Sequence, residues 1–164
     1  MPSLLALDAS LYVGYAYFSS PNAQPKCRTW VAPAGLWKSE DYGPYFLAFG
    51  DWLLEMLDVL QPEHLAFESP VVANFGPGRG TDENNLRRLI GIVSIAELIA
   101  ASNGLPCHEV HNQTAKAFMG VSRRKDKNDM IVAVTAKGFK VADQHQADAC
   151  AVGLVAYDSL GFDI

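Results

Sequence analysis

The sequence predicts an α/β fold in which a mixed five-stranded sheet is flanked by helices. Three observations lead there. Three strand-like segments joined by short connections come first, strands and helices then alternate, and only helices follow. Short connections suit antiparallel neighbours and helical crossovers suit parallel ones, so the sheet should contain both.

Leu4-Leu5-Ala6-Leu7-Asp8 is a short apolar run ending on an acid. Val13 to Phe18 is aromatic and β-branched, as strands favour. Gly14 inside it would weaken the strand and marks a close approach of backbone or ligand. Pro21, Asn22 and Pro25 turn the chain into a third strand near Cys27–Ala32. Tyr45, Phe46, Phe49, Trp52, Leu53, Met56, Leu57 and Leu60 then follow the spacing of an amphipathic helix, which Pro62 stops. His64-Leu65-Ala66-Phe67-Glu68 is a second short strand ending on an acid. A Gly- and Pro-rich loop spans Ser69 to Asp82, and Glu83 to Asn103 reads as a helix closed by Gly104. Leu105 to His111 is the fifth strand. Asn112 or Thr114 could cap a short helix to Met119. Lys127 to Lys137 and Ala147 to Leu160 complete the set.

Helix 83–103 carries Leu86, Leu89, Ile90, Ile92, Val93, Ile95, Leu98 and Ile99 on almost every side. A helix apolar all round is buried all round, so a second copy of the chain is expected to cover one face. The alternative is that helices of its own domain do so.

A chain of 164 residues, 49% hydrophobic and 19% charged, can bury one real core, so residues 1–164 are read as one domain. The apolar stretch Leu89–Ala101 is broken by Glu97 and is shorter than the roughly 20 residues of a membrane span. No charged segment followed by a short apolar run suggests a signal peptide. Cys27, Cys107 and Cys150 form no CxxC pair, which argues against a zinc site or disulfide framework and for reduced thiols in the cytoplasm. The formal net charge is −5, but the charge is segregated. Residues 1–69 hold three basic residues against eight acids, and residues 116–140 hold seven basic residues against Asp126 and Asp129. Such a stripe is either a solvated surface or a phosphate-holding surface beside an acidic pocket.

Asp8 and Glu68 each end a short apolar strand, where an unpaired carboxylate is costly to desolvate and a cation would offset the cost. His145 and Asp148, at i and i+3, share one face at the start of the last helix among small and polar neighbours. If Asp8, Glu68 and Asp148 converge, they form an oxygen-rich site suited to Mg²⁺ or Mn²⁺ rather than zinc. Two such ions about 3.5–4 Å apart would hold a scissile phosphate and activate a water. His145 could ligate a metal or move a proton. Each residue also has a structural reading. Asp8 could cap a turn with Ser10, Glu68 could pair with an arginine, Asp148 could complement the helix dipole, and His145 could be a surface histidine.

Leu5-Ala6-Leu7-Asp8-Ala9-Ser10 followed by Val13-Gly14-Tyr15-Ala16 resembles the first hairpin of the RuvC-type Holliday junction resolvases, members of the RNase H-like superfamily. Leu65-Ala66-Phe67-Glu68 is similar to that family's second acidic strand, and His145-Gln146-Ala147-Asp148-Ala149-Cys150-Ala151-Val152 to its closing motif. All three fall in order along nearly the whole chain. The resemblance implies an RNase H-like sheet and a nuclease that cuts four-way DNA junctions by paired nicks. It implies that Asp8, Glu68, His145 and Asp148 are the catalytic and metal-binding set for two Mg²⁺ ions, with Mn²⁺ able to substitute. Lys116 resembles a family lysine near the active site. Lys127, or Lys125 two residues earlier, resembles a second. Phe75 and Arg79 fall where the family has a junction-contacting loop, and Arg123 and Arg124 extend the DNA-binding run. The family's homodimers join through the helix matching 83–103, in the cytoplasm of a bacterial cell or phage-infected host.

Other readings stay open. The same chemistry could act on flaps, other branched DNA or RNA–DNA hybrids. A non-catalytic, dimeric DNA-structure-binding module is a reading of a different class. Gly76-Pro77-Gly78-Arg79-Gly80 lacks the spacing of a phosphate-binding loop.

Overall fold

The computed structural model describes residues 1–36, 41–70, 83–121 and 128–163. The predicted order of elements is present throughout: β1 (Leu4–Asp8), β2 (Tyr12–Phe18), β3 (Lys26–Val31), α1 (Tyr42–Leu60), β4 (His64–Glu68), α2 (Glu83–Ser102), β5 (Cys107–Val110), α3 (Asn112–Phe118), α4 (Asp129–Ala136) and α5 (Gln144–Ser159). The strands lie in the order β3-β2-β1-β4-β5. β1, β2 and β3 are an antiparallel meander, and β4 and β5 add in parallel to β1.

β1 sits at the centre and is buried along its whole length. A strand covered on both faces reads as a continuous apolar run, which is why Leu4 to Leu7 show no alternation. Leu5 and Leu7, with Leu65 and Phe67 of β4, face a core that includes Tyr45, Phe49 and Leu53 of α1 and Ile92 and Ala96 of α2. Leu4, Ala6 and Ala66 face the opposite core, built on α5 with α3 and α4. Side chains alternate along a strand, so Asp8 and Glu68 fall on the α5 face.

α5 is buried on nearly every side, from Ala147 to Tyr157. Its small residues permit this. A Cβ at Gly153 would lie 2.4 Å from Phe18 Cε2 and 3.2 Å from Ala6 Cβ, so α5 rests directly on β1 and β2.

Several helix ends differ from the sequence reading, and three of them show why. α1 starts at Tyr42 because Asp41 caps it, accepting from Gly43 N. α5 starts at Gln144, not Ala147, because Asp143 accepts from Gln146 N. Neither Asn112 nor Thr114 caps α3; its N-cap is His111, which makes no side-chain cap bond. α2 is not buried all round within the chain, since Ile90 and Leu98 are 43% and 66% exposed. Among the described residues no helix is long and apolar enough to cross a membrane. The three cysteines are free thiols.

Candidate active site

The parallel register pairs Leu7 with Phe67, so the next residues, Asp8 and Glu68, stand level at the carboxyl ends of adjacent strands. They share the α5 face, at the end of a sheet where α/β folds place ligands. The first turn of α5 is brought against them by two devices. Asp8 pairs with Gly14 on β2, and a Cβ at Gly14 would stand 2.0 Å from the carbonyl oxygen of His145. Only glycine lets the helix start sit that low, which is the close approach its place in the strand predicted. The second device is Asp143. One of its oxygens accepts from Gln146 N at 2.8 Å, and the other accepts from Thr29 Oγ1 on β3 at 2.9 Å. The cap therefore ties the helix start to the sheet, and the i, i+3 spacing carries His145 and Asp148 to the same place.

His145 Nδ1 lies 2.8 Å from Asp8 Oδ2, and the two side chains are 37% and 9% exposed. Ser10 Oγ lies 3.1 Å from each of the same two atoms. The turn reading of Asp8 and Ser10 thus holds alongside the functional one, with Ser10 N donating to Asp8 O at 2.8 Å. Glu68 Oε1 accepts from Asn112 Nδ2 at the start of α3. This contact, rather than a helix cap, is where the Asn112 side chain is spent.

Burial pushes Glu68 up to about 7, and the neighbouring charges of Asp8 and Asp148 push the same way, against the Asn112 hydrogen bond and Lys116. Burial also pushes Asp148 up to about 6, reinforced by Asp8 and opposed by a hydrogen bond from Gln144, by Lys116 and by His145. The hydrogen bond from His145 to Asp8 raises the imidazole, and burial opposes it. The predicted residues Asp8, Glu68, His145, Asp148 and Lys116 therefore act on one another across four elements. Among the described residues, Lys116 acts on Glu68 and Asp148, and His145 acts on Asp8 and Asp148.

These residues fit a divalent cation in kind. Hard carboxylate oxygens are what Mg²⁺ and Mn²⁺ prefer, and an ion there would offset both the burial and the repulsion that raise Glu68 and Asp148. They are not a ready-made cage. Among the described residues no three His, Cys, Asp or Glu side chains are gathered to hold one ion. Asp8 Oδ2 is turned to His145 and Glu68 Oε1 to Asn112 instead.

The expected DNA contacts Phe75, Arg79, Arg123, Arg124, Lys125 and Lys127 lie outside the described residues. Three contributors were missed in the sequence reading: Asn112, Asp143 and Ser10 as a partner of His145. Asp143-x-x-Gln146 is a recognisable capping signal. Asn112 carried none, because an Asn before a helix reads first as a cap.

No protein-family model and no curated protein matches the chain. Solved structures do. RuvC of T. thermophilus in complex with a Holliday junction substrate superposes with a TM-score of 0.72 at 15% identity, covering 98% of this chain and 97% of that one. A second structure of Thermus thermophilus RuvC gives 0.66 at 18% identity, over 97% and 96% of the two chains. The yeast mitochondrial Holliday junction resolvase Ydc2 gives 0.61 at 14% identity, over 95% of this chain and 78% of that one. The chain thus has an α/β fold of the RNase H-like class. Within that class its fold is the RuvC type, shared here at the level of structure rather than of sequence.

Proposed function

We propose that this chain is a metal-dependent endonuclease that resolves four-way DNA junctions by paired nicks, working as a homodimer. The observation that carries the reading is the meeting of Asp8, Glu68 and Asp148 from β1, β4 and α5 on one face at the carboxyl ends of the parallel strands. The fold likeness to a RuvC solved with its junction supports the choice of substrate.

Asp8, Glu68 and Asp148 would hold two Mg²⁺ ions, or Mn²⁺ in their place, with His145 as a further ligand or proton carrier. The ions would supply an activated water and stabilise the leaving oxygen of the phosphodiester. Asn112 keeps the Glu68 carboxylate oriented. Lys116 lowers the charge of the acid cluster so that a phosphate can approach. Phe75, Arg79, Arg123, Arg124, Lys125 and Lys127 would contact DNA. With a net charge of −5, binding through such a local basic stripe should weaken steeply with salt. Ile90 and Leu98, exposed on α2, support a second copy docking through helix 83–103.

The test offers an immobile four-way junction beside linear duplex, flap and RNA–DNA hybrid, with Mg²⁺, Mn²⁺ or EDTA. Paired symmetric nicks on the junction, abolished by EDTA, are expected. Cleavage of another substrate alone would keep the metal chemistry and replace the substrate. Binding without any cleavage would replace the enzyme with a DNA-structure-binding module.

A further inference from the structure

Ser10 lies in the turn between β1 and β2, and the mechanism above gives it no part. Its Oγ is 2.6 Å from Tyr12 O, 3.1 Å from Asp8 Oδ2 and 3.1 Å from His145 Nδ1. A hydroxyl has one hydrogen, and a backbone carbonyl can only accept, so the shortest contact takes that hydrogen to Tyr12. A carboxylate oxygen can also only accept. The hydrogen between Asp8 Oδ2 and His145 Nδ1 therefore belongs to the imidazole. With its own hydrogen committed, Ser10 turns a lone pair towards the same Nδ1–H. The Tyr12 ring, its centroid 5.9 Å from that of His145, packs beside the imidazole. A neutral imidazole with its hydrogen on Nδ1 has one basic nitrogen left, Nε2.

We propose that Ser10 is a positioning residue that, with Asp8, holds His145 as its Nδ1–H tautomer and so makes Nε2 the nitrogen that ligates a cation or accepts a proton. This deepens the reading of Asp8 and His145 as active-site residues and rests on it. The second consequence concerns Asp8. With Oδ2 bound to the imidazole, Oδ1 is the oxygen it offers to a cation.

The test is direct nitrogen NMR on the full-length, metal-free chain labelled with ¹⁵N-histidine, at a pH where the imidazoles are neutral. His145 is assigned by the signals that His145→Gln removes. Wild type should show His145 with Nδ1 protonated and Nε2 bare. Ser10→Ala, which leaves the Asp8 acceptor in place, should let a measurable minority of the Nε2–H tautomer appear and lower kcat about tenfold with KM unchanged, the size expected when a residue that orients a ligand is lost. Ser10→Thr, which keeps the hydroxyl, should restore both. An Nε2–H tautomer in wild type would overturn the proposal, as would a single unchanged Nδ1–H tautomer in Ser10→Ala. A wild-type chain that cleaves no DNA, yet shows the Nδ1–H tautomer and its loss in Ser10→Ala, would sink the proposed function and uphold the role of Ser10.

Discussion

At the amino ends of β1 and β4 the polar groups pair with one another. Ser3 N donates to Glu63 Oε2 at 2.9 Å, and Glu63 N donates to Ser3 Oγ at 3.2 Å. His64 Nδ1 and His108 Nε2 lie 2.9 Å apart, and the Tyr157 hydroxyl donates to Pro2 O at 2.8 Å. At the carboxyl ends of the same strands, burial, reinforced by the charge of Asp8, pushes Glu68 and Asp148 up to about 7 and about 6. One end of the sheet pairs its polar groups among themselves, and the other sets Asp8, Glu68 and Asp148 against Lys116 and His145 among the described residues. Proteins break local rules of satisfaction where they work rather than where they merely fold, so the contrast sets a scaffold end apart from the proposed site.

Substitutions at the two ends should therefore have opposite signatures. Asp148→Asn should cut junction cleavage at least about a thousandfold, the several kcal/mol a catalytic cation contributes, while leaving junction binding largely intact. It should also raise the unfolding temperature of the metal-free chain at pH 8, because a repelling charge is gone. A cleavage rate near wild type would break the contrast.

Gly14→Ala acts between the two, on the device that lowers α5 onto β2. The added Cβ, 2.0 Å from His145 O, forces the helix start outward. A loss of about 1–3 kcal/mol in stability is expected from overpacking, and about a hundredfold in rate from a displacement of order 1 Å. Denaturant melts and cleavage rates check it. Wild-type behaviour in both would mean that the closeness of α5 to β2 matters neither to packing nor to the site.

The smallest effect is expected at the amino end. His64→Ala removes the partner of His108 and should cost about 1 kcal/mol of stability with cleavage unchanged. A large loss of cleavage there would show that the amino end is not scaffold alone.

Much of this architecture was legible in the sequence, for identifiable reasons. The apolar runs of β1 and β4 and the 3-4 spacing of α1 report burial directly, so those elements stood out. Asp8 and Glu68 were visible because an acid at the end of such a run needs a partner. Gly14 was visible because a glycine inside a strand needs a reason. The contacts that join elements were harder to see. Asn112 meets Glu68 across 44 residues and Ser10 meets His145 across 135, and no local pattern encodes either. The exposed stripe of Ile90 and Leu98 was hidden too, because eight apolar residues on one helix do not say which of them its own chain covers.

The most direct test of the account is the stability of the metal-free chain against pH, repeated with Mn²⁺. Glu68 and Asp148 have folded-state pKa values above their ordinary ones, so the folded chain holds extra protons between about pH 4 and 7. Their contribution is present at low pH and is lost as pH rises through that window. The raised His145 acts in the same direction. The two acids share their mutual repulsion, so the combined loss is expected to be about 2–3 kcal/mol, or about 5 °C in unfolding temperature. Stability is expected to fall from pH 5 to pH 8 without metal, Mn²⁺ to restore it at pH 8 and do little at pH 5, and Asp148→Asn to shrink both effects, leaving the part that Glu68 and His145 contribute. Stability that holds level or rises from pH 5 to pH 8, with no response to Mn²⁺, would contradict the claim that the carboxyl end holds charge awaiting a cation.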